Sequence, residues 1–244
     1  MKNLIVALIA FSPLLLQAQP THKDFDSLLK KYVDAQGGVN YKAFKADEVA
    51  LNDYLVSMMI EPPTSDWNND EKLTYWINVY NALTIQLILK YYPIKSIKDI
   101  GSAIQIPYIN TPWDIECFEI EDGKELSLND IEHGIIRKHF EEPRIHFALV
   151  CAAKSCPKLL NEAYDATKLD AQLTAQTKAF LANLNKNKIS NDRLELSKLF
   201  SWYGGDFRKN GTLVDFLNQY SSTKINQKTK TSFMDYDWGL NEQK

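Results

Sequence analysis

From His22 onward the apolar positions recur at helical spacing. Phe25, Leu28, Leu29 and Tyr32 fall on one face, Gly37-Gly38 interrupts the pattern, and Phe44 to Met59 resumes it with Leu51, Tyr54, Leu55 and Met58 aligned. Pro62-Pro63 ends this helical run. Asn69-Asp70 is a cap signal for a long helix from Glu71 to Tyr92, which Pro93 closes. Leu73, Trp76, Ile77, Tyr80, Leu83, Leu87 and Tyr91 make one stripe along it, and Val79, Ile85 and Leu89 make its other side apolar too, so the pattern predicts a central helix buried all round.

The second half mixes periods. Trp113 to Glu121 and Lys124 to Leu126 flank Asp122-Gly123, which predicts a hairpin with a two-residue turn. Ser127 and Asp130 have capping-box spacing at the start of a helix whose stripe is Leu128, Ile131, Ile135 and Phe140, leaving Glu132, His133 and Arg137 off its centre line. Arg144 to Cys151 reads as a buried strand with Ile145, Phe147, Leu149 and Cys151 on one face. A helix from Leu169 to Leu184, a hairpin from Lys188 to Ser197 around Asn191-Asp192 and another helix starting near Ser197 follow. With no Pro-, Gly- or Ser-rich linker between these elements, the expectation is one α+β domain over residues 22–244: a central buried helix with flanking helices, packed on a small, mainly antiparallel sheet.

The N-terminus has a different character. Lys2 precedes an apolar run from Leu4 to Leu16, and Leu16-Gln17-Ala18 gives a small-residue ending, so residues 1–18 are expected to be a signal peptide cleaved near Ala18, with the mature protein periplasmic or extracellular. This run is shorter than the roughly 20 residues a spanning helix needs, and no membrane span is expected. The formal net charge of -3 lacks the basic excess of a nucleic-acid-binding surface, so no nucleic-acid partner is expected. Three cysteines, Cys117, Cys151 and Cys156, are too few for a disulfide scaffold and lack the paired spacing of structural zinc sites.

The chemistry-bearing residues concentrate between positions 133 and 156, which hold His133, His139, His146, Cys151 and Cys156. On a strand His146 and Cys151 would point to opposite faces about 16 Å apart, which excludes a direct dyad and leaves His133 or His139 against Cys151, or a histidine against Cys156 after a turn. Ser155 and Pro157 suggest a short helix whose N-terminus would hold Cys156 beside Lys154 and favour its thiolate. Glu132 would orient His133 as a general base, Arg137 or Arg144 would hold an anionic substrate group, and the helical Asn78 and Asn81 would either orient the site or satisfy backbone groups in the core. A metal on His133, His146, Cys151 and Cys156 fits no familiar ligand spacing, and neither a Gly-rich phosphate loop nor an H-E-x-x-H or G-x-S-x-G motif occurs, so no metal and no cofactor are expected.

Four motifs carry a family resemblance. Tyr75-Trp76-Ile77-Asn78-Val79-Tyr80-Asn81-Ala82-Leu83-Thr84, Ile131-Glu132-His133-Gly134-Ile135-Ile136-Arg137, Pro143 to Cys151 with Ser155-Cys156-Pro157, and Tyr236-Asp237-Trp238-Gly239-Leu240-Asn241 resemble the domain-of-unknown-function family DUF547, over roughly Asp70 to Asn241. The resemblance implies no activity. A papain-like thiol protease or transglutaminase would usually carry its cysteine at the start of the central helix, and Glu71 to Tyr92 contains none.

Two functional expectations follow. The first is a secreted or periplasmic thiol-dependent hydrolase or acyl transferase acting on a small-molecule or peptide-like envelope substrate, with Cys151 or Cys156 as nucleophile, His133 as base and His146 as a further catalytic candidate. The second is a non-enzymatic envelope binding protein in which Cys151 and Cys156 form a structural disulfide. The geometric expectation is that His133 and one of these cysteines face a common cleft, while His22 and His139 do not.

Overall fold

A computed structural model describes residues 21–101, 104–106, 109–120 and 123–243, so the expected signal peptide and Asp122 of the first hairpin turn lie outside the described residues. Helices α1 (Lys23–Tyr32) and α3 (Glu48–Ile60) form on the predicted stripes, with a single turn, α2 (Tyr41–Phe44), between them. α1 buries Phe25, Leu28, Leu29 and Tyr32, and α3 buries Leu51, Tyr54, Leu55 and Met58. At the break, Gly37 has φ +82, and a Cβ there would come within 2.5 Å of the Lys158 Cβ and 2.7 Å of the Leu159 nitrogen. Only glycine lets this turn lie against the segment that follows Cys156.

Helix α4 (Asn69–Tyr91) is capped one residue earlier than the pattern suggests. Asn68 Oδ1 accepts the Glu71 N–H at 3.0 Å and Glu71 Oε2 accepts the Asn68 N–H at 2.7 Å. Every residue from Leu73 to Ile85 is buried, because α4 packs against α2, α3 and the helical segment that begins near Asp130.

Strands β1 (Phe118–Ile120) and β2 (Lys124–Leu126) pair antiparallel, with Ile120 opposite Lys124. That register leaves three intervening positions rather than two, and Gly123 has φ +72. The next element opens on the expected Ser127 and Asp130 pairing, with Ser127 Oγ donating to Asp130 Oδ2 at 2.6 Å. Its turn over Asp130–Ile136 is π-helical and continues into α5 (Arg137–His139), with the Arg137 N–H donating to the Glu132 carbonyl. The wider turn changes which positions face inward: Ile131, Glu132 and Ile136 are buried, whereas Ile135 is only half-buried. The expected off-centre position of Glu132 is therefore corrected to a buried one.

The strand expected from Arg144 to Cys151 does not form. Pro143–Phe147 is a 3-10 turn, with Glu142 Oε1 accepting the Arg144 N–H at 3.0 Å and the Ala148 and Leu149 N–H groups returning to the Ile145 carbonyl. Asn81 supplies what a neighbouring strand would have supplied: its Oδ1 accepts the Val150 N–H and its Nδ2 donates to the Ala148 carbonyl, both at 3.0 Å. Ile145 consequently enters the core around α4 while Phe147 enters a second cluster, and the inference that His146 and Cys151 must point apart no longer holds.

The second cluster is built from α6 (Leu169–Ala182), α7 (Leu199–Trp202), α8 (Leu213–Tyr220) and the sheet β3 (Lys188–Ile189), β4 (Arg193–Leu196), β5 (Lys230–Phe233). β3 and β4 are antiparallel, whereas β5 joins β4 in parallel. The fold is α+β, with its sheet divided into a two-stranded hairpin and a three-stranded mixed sheet. The tail after β5 runs back across the molecule: the Lys154 N–H donates to Gly239, the Ser155 N–H to Asp237 and the Asn241 N–H to Ala152, all through backbone carbonyls. Tyr236, at the start of that tail, packs against both core clusters. Among the described residues no helix is long and apolar enough to cross a membrane.

Candidate functional site

A cavity of about 230 Å³ opens where α4, the π-helical turn, the segment after Pro143, α7 and the tail converge. Cys151, Cys156, Glu132 and His146 line it, together with Tyr80, Tyr203 and Tyr236 and the indoles of Trp113, Trp202 and Trp238; Asn129, Leu149 and Leu199 complete the wall. The aromatic wall is continuous, with Tyr236 and Trp238 ring centres 4.6 Å apart, Trp202 and Tyr236 4.8 Å apart, and Trp113 and Trp238 5.7 Å apart.

The two thiols come together through one backbone position. Ala152 has φ +56, the one positive φ outside glycine among the described residues, and the Asn241 N–H fixes its carbonyl at 3.0 Å. The chain therefore doubles back so that Cys156 Sγ accepts the Cys151 N–H at 2.8 Å, while Cys151 Sγ lies 3.2 Å from the Tyr236 hydroxyl. Lys186, half-buried behind the loop, donates to the Cys156 carbonyl.

The thiols titrate in opposite directions. Burial raises the Cys156 thiol, but hydrogen bonds from Cys151 and Tyr236 and the charge of Lys186 outweigh it, leaving this thiol below its ordinary value. Burial and the adjacent Cys156 push the Cys151 thiol well above its ordinary value. Cys117 lies outside this cavity, and burial pushes its thiol up to about 11. Cys156 is thus the sulfur best prepared to react as a thiolate. The expected helix at Ser155-Cys156-Pro157 is absent; Ser155 Oγ accepts the Asp237 N–H at 2.8 Å, so the tail takes the side chain that would have capped it.

His146 is buried, stacked on Tyr203 with ring centres 3.8 Å apart, and its Nε2 lies 2.8 Å from Asp206 Oδ2. Asp206 also accepts from Arg137 Nε at 2.7 Å, and hydrogen bonds from His146 and Arg137 hold its carboxyl far below the usual carboxylate range. A carboxylate only accepts, so the proton of that bond sits on His146 Nε2, and Nδ1 is the basic nitrogen of the neutral ring.

Glu132 accepts the Tyr80 hydroxyl at 3.1 Å inside the cavity. His133 stands beside it, with Nδ1 3.9 Å from Glu132 Oε1 and accepting from Arg137 at 2.9 Å, but it is not part of the cavity wall. Burial lowers the His133 ring below the ordinary histidine value. The cleft expected for His133 and a cysteine is therefore taken by His146, because the 3-10 turn after Pro143 redirects the residue that a strand would have pointed away. His22 and His139 are absent from the wall, as expected.

The other site expectations fare differently. Arg137 is paired with Asp206 and lies 5.2 Å above the Tyr203 ring, and Arg144 is tied to Glu142 at 2.5 Å and Asp170 at 2.8 Å; neither guanidinium lines the cavity. Asn78 brackets the Tyr164 backbone at 2.9 Å in both directions, and Asn81 holds Ala148 and Val150. Both amides hold backbone segments, and neither lines the cavity. Among the described residues no group of three His, Cys, Asp or Glu side chains is placed to hold a metal ion. Asp206, Tyr203, Lys186 and the tryptophans were not anticipated. The run Trp202-Tyr203-Gly204-Gly205-Asp206 was the visible signal for Trp202, Tyr203 and Asp206, an aromatic, glycine-rich segment just after a predicted helix start.

Residues 64–181 match the family described as Protein of unknown function, DUF547. The match takes in the motifs around Asn78, His133 and Cys151 and ends before Tyr236, so the expected reach to Asn241 is not covered by it. No curated protein and no solved structure matches the chain.

Proposed function

We propose, from the geometry of the cavity, that this chain is a thiol-dependent hydrolase or acyl transferase with Cys156 as nucleophile and His146 as its acid-base group. One observation carries the reading. A single cavity holds the Cys156 sulfur, polarised by the Cys151 N–H at 2.8 Å, and His146, whose far nitrogen is anchored on Asp206 at 2.8 Å. Acyl transfer uses a nucleophile, a base and an orienting carboxylate, and the three residue types are gathered here: Cys156 and His146 on the cavity wall, and Asp206 bonded to His146.

In the reaction the Cys156 thiol proton passes to His146 Nδ1 and the sulfur attacks the acyl carbon, the carbonyl electron pair moving onto oxygen. Collapse breaks the bond to the leaving group, which takes the proton from Nδ1 and leaves a thioester. Water or a second acceptor then gives its proton to Nδ1 and attacks the thioester; the C–S bond breaks, and the departing Cys156 sulfur takes the proton back from Nδ1. The aromatic wall favours a substrate with an apolar or planar body, and the Glu132 carboxylate disfavours an anionic one at that position. A neutral or cationic peptide-like group fits better than the anionic group anticipated for Arg137 or Arg144.

Export to a bacterial envelope remains part of the proposal, supported by Lys2 and the apolar run from Leu4 to Leu16. N-terminal sequencing of the protein recovered from its native host should begin close to Gln19; an intact Met1 would remove this part. For the chemistry, the reduced chain is exposed to a panel of peptide thioesters and activated peptide esters, and the covalent adduct is located by mass spectrometry. An acyl group on Cys156, absent in Cys156→Ala and slow to form in His146→Ala, is expected. Turnover that survives in Cys156→Ala would overturn the reading and leave a non-enzymatic ligand-binding cavity.

A further inference from the structure

Acyl transfer uses one thiol, yet the cavity holds two. The Cys151 thiol has no part in the chemistry above, although the Cys151 backbone N–H meets the Cys156 sulfur at 2.8 Å. Both cysteines are free thiols. The left-handed turn at Ala152 folds Cys156 back towards Cys151, and the tail holds the intervening residues in place: the Asn241 N–H donates to Ala152, the Lys154 N–H to Gly239 and the Ser155 N–H to Asp237. A loop this short, pinned along its outer side, keeps both cysteines in one cavity, with Cys156 buried.

We propose that Cys151 and Cys156 form a dithiol that exchanges with disulfides, Cys156 attacking and Cys151 resolving. This goes beyond the acyl-transfer reading and does not depend on it. The surroundings divide the two roles. Cys156 receives the Cys151 N–H and has the half-buried Lys186 bonded to its carbonyl, so negative charge on its sulfur is supported. Burial and the adjacent Cys156 raise the Cys151 thiol, so it keeps its proton while Cys156 attacks, the Tyr236 hydroxyl 3.2 Å from its sulfur opposing this only in part. The difference in their titration agrees with this order, because the group that attacks first needs the thiolate and the resolving group needs it only afterwards.

With a low-molecular-weight disulfide RSSR as oxidant, the Cys156 thiolate attacks one sulfur, the S–S bond breaks, and RS⁻ leaves and picks up a proton. Cys151 then gives its proton to solvent, and its sulfur attacks Cys156 sulfur in the mixed disulfide. The second RS⁻ leaves and is protonated. The sum is RSSR plus the dithiol giving two RSH and an internal disulfide, so the protein is oxidised by two electrons and the small disulfide is reduced by two. The oxidised chain lacks a thiol at Cys156, and acyl transfer would stop until a thiol reductant reverses the exchange.

The test uses the full chain, reduced and desalted, with oxidised glutathione as the probe and non-reducing peptide mapping as the readout. Wild type is expected to lose two hydrogens, retain no glutathione and yield a Cys151–Cys156 linked peptide, with Cys117 unmodified. Cys151→Ala should keep glutathione on Cys156, and Cys156→Ala should react roughly tenfold more slowly or worse. Wild type that holds a stable glutathione adduct, or that pairs either cysteine with Cys117, would overturn the proposal. Cys151→Ser and Cys156→Ser, checked for native circular dichroism, replace any alanine variant that does not fold. Acyl transfer and exchange are separable: the first fails if the reduced chain forms no acyl adduct, the second if the glutathione reaction gives no internal bridge in the absence of any acyl substrate.

Discussion

His146 and Asp206 are sixty residues apart in sequence and 2.8 Å apart in space, joined from Nε2 to Oδ2. Asp206 accepts from Arg137 through the same oxygen, so one carboxylate fixes a cavity-lining ring and neutralises the guanidinium beside it.

Asp206→Asn should therefore weaken both stability and chemistry. Hydrogen bonds to charged groups contribute about 1.5–3 kcal/mol, and a loss in that range is expected at pH 7. The sign with pH follows from the depressed carboxyl. Its stabilisation is full above the ordinary aspartate value near ~3.9 and is lost as the pH falls through that value towards the lower folded one. Urea midpoints at pH 7 and pH 3 should accordingly converge for wild type and Asp206→Asn in acid; a gap that is unchanged at pH 3 would refute this account.

Replacing Asn81 strikes the scaffold of the same site. Asn81→Ala leaves the Val150 N–H and the Ala148 carbonyl buried without their partner, at about 1–3 kcal/mol each, so a loss of roughly 2–6 kcal/mol is expected from denaturant unfolding. Iodoacetamide should label Cys151 faster in this variant well below the unfolding midpoint, because the segment leading to it is no longer held.

His22 titrates for a different reason. Burial lowers its ring to about 4, with its Nδ1 2.8 Å from the Tyr54 hydroxyl, against a partial opposing effect of Asp165. A histidine kept neutral by the fold stabilises fully above its unfolded value of ~6.5 and loses that contribution as the pH falls towards 4. The expected loss is on the order of 1–3 kcal/mol. His22→Gln should flatten stability between pH 7 and pH 4.5, which chemical denaturation at the two pH values measures directly.

Lys186 adds a favourable charge behind the Cys156 sulfur. Lys186→Met removes the charge that favours the Cys156 thiolate, so the pH profile for alkylation of Cys156 should move upward and its rate at pH 7 should fall several-fold. Lys186→Arg should retain most of the wild-type profile. An unchanged profile in Lys186→Met would assign the depressed thiol to the Cys151 and Tyr236 hydrogen bonds alone.

Local signals sufficed for α1, α3 and α4. The burial of Phe25, Leu28, Leu29 and Tyr32 in α1 and of Leu73 to Ile85 in α4 repeats the sequence stripes, because helical period alone decides which side chains share a face. The Asp130 pairing with Ser127 was equally legible, since both partners lie within one turn. The sequence also determined that the reactive residues crowd between His133 and Cys156. Which histidine shares a cavity with the cysteines was decided by tertiary structure. Asn81 supplies from another helix the hydrogen bonds of the segment around Val150, so that segment did not need to be a strand, and His146 turned into the cavity. A π-helical turn moved Glu132 inward, and the tail from Tyr236 to Asn241 set the thiol loop, although nothing in the periodicity near Cys151 refers to either. Backbone groups in an irregular segment must be satisfied by whatever lies beside them in space, and that neighbour is fixed only when the whole chain has folded.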